Sequence, residues 1–241
     1  MKLRLVTWDV KDTLLRMRLP VGQQYHSVAK KRGLHVDPAS LEQSFRQAYR
    51  AHSRLFPNYG LTQGMTSQQW WSDVVGQTFR LSGVRDEGSI RLVTERLYGD
   101  FSTSGNWEVI PGAREALQGC RDLGLRLAVV SNFDRRLEEV LRQCNLHGHF
   151  EFVLTSERAG IAKPDPGIFR KALSLARVAA CEAAHVGDDY VNDYRAARDV
   201  GMESYLLRPE GNPRLEEHRV PNEHLIRSPD ELIQRLQNAT E

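Results

Sequence analysis

Leu3, Leu5, Val6 and Trp8 make a short apolar, partly β-branched run that ends at Asp9. Its length and composition are those of a strand, so a strand carrying a carboxylate at its carboxyl end is predicted to open the chain. After Thr13 the pattern changes. From about Pro20 to about Trp107 there is no clear buried-strand run. Leu41, Phe45 and Tyr49 recur at i, i+4 and i+8, one face of a helix. Trp70, Val74, Val75 and Phe79 suggest a second helix, and Ile90, Val93, Leu97 and Phe101 a third. Turn signals at Asp37-Pro38, at 56–60 and at Ser82-Gly83 separate them. An all-helical insert is predicted here.

From Pro111 onward strands and helices alternate. Pro111 suits a first helical turn, Ala113, Leu117 and Cys120 form its stripe, and Gly124 suits a left-handed C-cap. A buried strand follows over 125–130, then a helix carrying Leu137, Val140, Leu141 and Cys144. A strand is predicted over 150–154, and a helix opened by Asp165-Pro166 carries Ile168, Phe169, Ala172 and Leu173. Next come a short strand over 183–186, a helix from Val191 to Asp199, and a strand over 204–207. Residues 208–223, with three prolines and mixed charge, read as a surface loop. Ser228, Pro229, Asp230 and Glu231 form a capping box before a last helix. This alternation implies βαβ units and a parallel sheet, an α/β fold.

Composition narrows the field without naming a chemistry. The chain has 241 residues, 40% hydrophobic and 27% charged, which suits one α/β core with an insert. Its net charge of +2 gives no long-range pull on nucleic acid or a membrane surface. No apolar run approaches the ~18 residues of a membrane span. Met1-Lys2-Leu3-Arg4 leads into the first strand without a signal-like apolar region. Cys120, Cys144 and Cys181 are widely spaced and odd in number, so neither a disulfide framework nor a zinc site is expected. A cytoplasmic, reducing location is the expectation.

The candidate chemistry sits after the strands. In open α/β sheets ligands bind beyond the carboxyl ends of the strands. Asp9 follows the first strand there, and Ser131-Asn132 follow the strand over 125–130. Lys163 lies in the loop after the strand over 150–154, and Asp188, Asp189 and Asp193 follow the strand over 183–186. On one rim these would set a nucleophilic carboxylate, a hydroxyl, an ammonium and an acidic cluster around one pocket. Facing carboxylates need a cation, and their hard oxygens suit Mg²⁺. A metal beside a nucleophilic carboxylate suits attack on phosphorus, since it neutralises phosphoryl charge. Serine and lysine can hold the remaining phosphoryl oxygens.

With these four motifs in this order, the chain resembles the haloacid dehalogenase-like hydrolase superfamily over nearly its whole length. The resemblance implies a Rossmann-like core, with helices on both faces of the sheet, from residues 1–15 and 108–241. It implies a mobile helical cap domain from 16–107. It further implies that Asp9 is the nucleophile and becomes an aspartyl intermediate. Ser131, with Asn132 beside it, would bind the transferred group, and Lys163 would stabilise Asp9 and the developing charge. Mg²⁺ would be held by Asp9, Asp188 and the carbonyl of Lys11, with Asp193 supporting the site. The partner would be a small phosphorylated molecule.

One position departs from the family pattern. Phosphatases of this family carry an acid/base aspartate two residues after the nucleophile, where this chain has Lys11. Losing general acid–base help costs about 100- to 10,000-fold, roughly 3–5 kcal/mol of barrier. A weak or narrow phosphatase is therefore expected, favouring substrates with good leaving groups. The alternative is a catalytically silent member that binds a ligand or a protein. A dehalogenase, in which the aspartate attacks carbon, is a third reading; such members need no metal, so the acidic loop at Asp188 and Asp193 argues against it. His185 is expected to be structural, and Tyr49, Phe56, Tyr59, Trp70 and Trp71 to form the core of the cap.

Overall fold

The computed structural model of the protein describes residues 3–209 and 220–238. Most of the expected surface loop, residues 210–219, lies outside the described residues. The predicted opening strand is β1, Leu5–Trp8, and all four of its residues are buried. Burial on both faces is what a parallel strand covered by helices requires. β2 (Leu15–Met17) and β3 (Trp107–Val109) pair with each other in a separate two-stranded ribbon. β4 (Arg126–Ser131), β5 (Phe152–Thr155), β6 (Ala183–Gly187), β7 (Glu203–Leu207) and β8 (Leu225–Ile226) join β1 in a six-stranded sheet. The strand order is β5-β4-β1-β6-β7-β8, and every neighbouring pair is parallel. The fold is thus α/β with a Rossmann-like parallel sheet. β1 sits between β4 and β6, and its Trp8 is level with Val129 and Val186.

The sheet is packed by apolar helix stripes. Ile168, Phe169, Ala172 and Leu173 of the helix Gly167–Ala176 cover Leu5, Ala128, Val130 and Leu154. The helix expected to begin at Pro111 begins at Ala113 instead. Gly112 before it takes a φ of +82°, and a Cβ there would stand 2.1 Å from Asp230 Oδ1. The turn at Pro111-Gly112 therefore stays outside the helix.

The described residues divide into two compact units. One holds the six-stranded sheet: residues up to Arg16, Val109–Phe133 and those from Cys144 on. The other holds Met17–Glu108 and Asp134–Gln143. The second unit carries α1 (Val21–Lys30), α2 (Pro38–Leu55), α3 (Ser67–Leu81) and α4 (Glu87–Asp100). Three of these begin on a side-chain cap. Asp37 accepts from Ser40 N–H, Thr66 and Gln69 form a capping box, and Asp86 accepts from Ser89 N–H. Tyr25 lies stacked on Phe79 in its core, among Leu41, Val75, Ile90, Val93 and Leu97. Trp70 is buried, with its indole N–H on Phe56 O, whereas Trp71 is only half-buried.

Residues 134–143 read from sequence as part of the sheet domain, yet they cluster with the helical unit. The cause is a polar knot. Buried Asp134 accepts two guanidinium bonds from Arg136, at 2.9 and 2.6 Å, and the Trp71 indole N–H at 2.8 Å. The Arg136 guanidinium lies 4.2 Å from the Tyr98 ring centroid and 5.4 Å from that of Trp71.

Candidate active site

β1 delivers Asp9 to the carboxyl edge of the sheet. Asp9 N–H donates to Val186 O at 2.9 Å, extending the parallel ladder one residue past Trp8. The neighbouring strands end beside it, β4 in Ser131 and β6 in Gly187, which leads into Asp188. Lys163 reaches in from the loop after β5. Its ammonium donates to Asp9 Oδ1 (2.7 Å), Val130 O (3.0 Å) and Asp193 Oδ1 (2.5 Å), which uses all three of its protons. Ser131, at the end of β4, is near enough to help hold the Asp9 carboxyl in its charged form. Asn132 has its amide committed to the Lys163 backbone: Nδ2 donates to Lys163 O at 2.8 Å and Oδ1 accepts Lys163 N–H at 2.7 Å. That clamp fixes where the lysine side chain starts.

Asp193 arrives on a widened helical turn. A regular helix was expected from Val191 to Asp199, but Tyr190–Arg195 form a π-helical turn that passes into a helix over Ala196–Arg198. Asp193 N–H and Tyr194 N–H both donate to Asp189 O, at 3.0 and 3.2 Å. The Asp189 carboxylate accepts Val191 N–H and Asn192 N–H, and its own N–H donates to Asp193 Oδ2 at 3.0 Å. Asp193 Oδ1 accepts from both Lys163 and His185 Nε2, the latter at 3.1 Å. Widened turns of this kind are frequent at functional sites because they re-aim one side chain.

The site is buried and charged. Asp9 is 6% exposed, Lys163 5% and Asp193 1%. Burial works against the Asp193 charge, but the Lys163 ammonium and the His185 hydrogen bond hold this carboxyl well below the usual range. Burial likewise opposes the Lys163 charge, and Asp193 and Asp9 overcome it, so the ammonium stays protonated. Burial raises Asp9, and Lys163 opposes the rise. Asp188 is pushed up to about 7, first by burial and then by the carboxylates of Asp9, Asp193 and Asp12. The carboxylate oxygens of Asp9, Asp188 and Asp193 lie within 4.8 Å of one another.

This donor set fits a hard divalent cation: it is all oxygen, strongly negative, and its charges repel until a cation balances them. Asp193 is already bonded on both oxygens, which leaves Asp9 and Asp188 as the carboxylates with capacity to ligate. Lys11 is half-exposed, and its ammonium pairs with Asp12 at 2.5 Å. Asp12 holds a φ of 63°, an uncommon conformation for a residue other than glycine. Burial works against the Lys11 charge, and Asp12, Asp188 and Asp9 together raise its pKa.

The sequence-predicted Asp9, Asn132, Lys163 and Asp193 therefore share one hydrogen-bonded group, with Ser131 and Asp188 beside it. Sequence reading passed over Thr7, placed Gly187 and Asp189 in the acidic loop without giving either a role of its own, and gave His185 only a structural place. The one signal for them was polarity inside otherwise apolar strands at Thr7 and His185.

A parallel sheet bearing this carboxylate and lysine cluster on its carboxyl rim defines a class of hydrolase. The haloacid dehalogenase-like hydrolase family profile matches residues 3–201, and the chain belongs to that family. It is 65% identical to haloacid dehalogenase-like hydrolase domain-containing protein 3 of Xenopus laevis, over 98% of this chain and 96% of that one. Against the Homo sapiens protein of the same name the identity is 53%, over 98% and 94% of the two chains. Among solved structures, YfnB from Bacillus subtilis, bound to magnesium, matches with a TM-score of 0.72 at 18% identity, covering 98% of this chain and 100% of that one.

Proposed function

We propose that this protein is a Mg²⁺-dependent phosphatase of small phosphorylated molecules, weak or narrow in range, working through an aspartyl-phosphate at Asp9. The observation that carries the reading is the Asp9 carboxylate 2.7 Å from the Lys163 ammonium and within 4.8 Å of the Asp188 and Asp193 carboxylates. In this reading an Asp9 oxygen attacks phosphorus as the bond to the leaving oxygen breaks. Ser131 holds a phosphoryl oxygen, with Asn132 fixing the loop beside it. Lys163 neutralises charge on the nucleophile and on the transferred group. Water then hydrolyses the aspartyl-phosphate, which returns the Asp9 carboxylate and releases inorganic phosphate. Asp9, Asp188 and the Lys11 carbonyl would hold Mg²⁺, with Asp193 bracing them, and the bound ion would neutralise phosphoryl charge. The helical unit serves as the cap.

Lys11 sets the limit on turnover. A protonated lysine paired with Asp12 is a poor base for water, and its raised pKa makes it a poor acid for a leaving group. Acyl and aryl phosphates, whose leaving groups need little protonation, are the favoured substrates. The same pairing supports the second reading, a silent member that keeps the fold to bind a ligand or a protein.

Acetyl phosphate and a panel of phosphorylated metabolites, assayed with and without Mg²⁺, separate the two. Turnover that needs Mg²⁺ and is lost in Asp9→Asn is the expected result. Absence of turnover across the panel, with no Mg²⁺-dependent binding of beryllium fluoride as a phosphoryl mimic, would establish the silent reading.

A further inference from the structure

Behind the site lie two buried polar side chains, Thr7 and His185, that the proposed chemistry does not use. Thr7, in the middle of β1, is wholly buried, and its Oγ1 stands 2.8 Å from His185 Nδ1 and 3.2 Å from Ala184 O. His185, in the middle of β6, is also wholly buried, and its ring meets Phe169 edge-on at 4.8 Å. Its Nε2 faces Asp193 Oδ1 at 3.1 Å. That same oxygen accepts from Lys163, which donates to Asp9 Oδ1. One unbroken hydrogen-bonded line thus joins a threonine inside the sheet to the candidate nucleophile. Valine and leucine would fill these two positions without any desolvated polar atom, so the polarity itself calls for an explanation.

The protons along the line follow from its ends. The Asp193 carboxylate accepts only, so His185 Nε2 carries the hydrogen that it receives. The ring is wholly buried and Nδ1 faces a single hydroxyl, so the geometry suits the neutral tautomer that carries its one hydrogen on Nε2. Nδ1 is then a lone pair in an apolar sheet and needs a donor. The Thr7 hydroxyl, at 2.8 Å, is the donor in reach, and it gives its single proton to this nearer acceptor rather than to Ala184 O at 3.2 Å. Without that bond the ring loses its second anchor. Asp193 Oδ1, and Lys163 with it, can then turn away from the position that holds Asp9.

We propose that Thr7 and His185 are positioning residues for Asp9, with Thr7 O–H donating to His185 Nδ1, His185 Nε2–H donating to Asp193, and the fixed carboxylate holding Lys163 against the nucleophile. The proposal rests on the phosphatase reading for its catalytic consequence. Partners of this kind, one step behind the reacting groups, change metal affinity or activity by about 10- to 100-fold when removed.

The test compares Thr7→Val, which keeps the β-branched shape and loses the donor, with Thr7→Ser, which keeps the donor. Nitrogen-15 NMR of the full chain at pH 7.5 reads the ring directly. Wild type and Thr7→Ser should show a neutral His185 protonated at Nε2, with the shift of a hydrogen-bonded Nδ1; Thr7→Val should lose that Nδ1 signature. With acetyl phosphate, Thr7→Val should lower kcat about tenfold with KM within about twofold, and Thr7→Ser should restore it. Its Mg²⁺ Kd should rise by about the same factor. An Nδ1-protonated or doubly protonated ring, or unchanged kcat and Kd in Thr7→Val, would overturn the proposal. If wild type turns over neither acetyl phosphate nor p-nitrophenyl phosphate, the phosphatase reading fails by itself. The positioning line is then judged on the ring signature and the Mg²⁺ Kd, and an unchanged Kd overturns it.

Discussion

Gly187 and Asp193 approach so closely that no side chain fits between them. A Cβ on Gly187 would stand 2.2 Å from Asp193 Cγ and 2.4 Å from its Cβ and Oδ2. The glycine has no need of a left-handed φ; its role is steric, to let the end of β6 lie flat against the carboxylate that anchors Lys163. Gly187→Ala should therefore push Asp193 off Lys163 and His185. The expected result is a folded chain whose Mg²⁺ affinity and turnover both fall by at least about tenfold. Calorimetric titration with Mg²⁺ and an acetyl phosphate assay check it, and wild-type values for both would show that the turn yields without cost.

Much of this arrangement was legible beforehand. The run from Leu5 to Trp8 gave both the central strand and the carboxylate at its end, because a strand buried on both faces reads as a continuous apolar block. Ser131, Lys163 and Asp193 could be set on one rim once the sheet was known to be parallel. Residues 134–143 read from sequence as part of the sheet domain, since their clustering with the helical unit depends on Asp134 and Arg136 meeting Trp71 and Tyr98, more than thirty residues away in sequence. The widened turn after Asp189 was equally hidden. Its apolar spacing is close to that of an ordinary helix, and only the two bonds on Asp189 O reveal the inserted residue. Thr7 and His185 each look like isolated polar residues until the pairing of β1 with β6 sets them level.

The cysteines offer a check on the packing. Cys120 is wholly buried and its thiol is pushed up to about 12 by burial; Cys144 is buried as well, while Cys181 is exposed. A thiolate-seeking reagent such as Ellman's reagent at pH 8 should modify one thiol per native chain quickly, and three in denaturant. Rapid reaction of two or three thiols in the native protein would contradict the burial of Cys120 or Cys144.

His52 gives the helical unit a pH dependence. Its ring lies tilted against Phe56 at 4.7 Å and edge-on to Trp70 at 5.1 Å, and Asp73 Oδ2 lies 3.9 Å from Nε2. Burial lowers its pKa, and Asp73 only partly offsets this. A histidine lowered on folding contributes stability that is present above its unfolded pKa of about 6.5 and is lost as pH falls from there through the folded value. His52→Phe keeps a ring in place and removes the titration. Its thermal midpoint should fall less than that of wild type between pH 7.5 and pH 5, with tryptophan fluorescence as the probe. Parallel curves for the two chains would mean that His52 is solvated in both states.

Lys11 decides whether the site is impaired or merely selective. An aspartate at that position could protonate a leaving alkoxide and then activate water, whereas the lysine, paired with Asp12 and raised in pKa, does neither well. The proposed cation site would ask only for the backbone carbonyl of residue 11, so Lys11→Asp should leave Mg²⁺ affinity no weaker than in wild type. Hydrolysis of an alkyl phosphate such as glycerol 3-phosphate should rise by about 100-fold or more. Hydrolysis of acetyl phosphate should rise by a smaller factor, since a carboxylate departs without a proton and only the later activation of water gains from the aspartate. The two rates measured side by side carry the argument, because an equal gain on both substrates would point to the shared hydrolysis of the aspartyl-phosphate rather than to protonation of the leaving group. An unchanged alkyl phosphate rate would mean that the slow step lies elsewhere in the site.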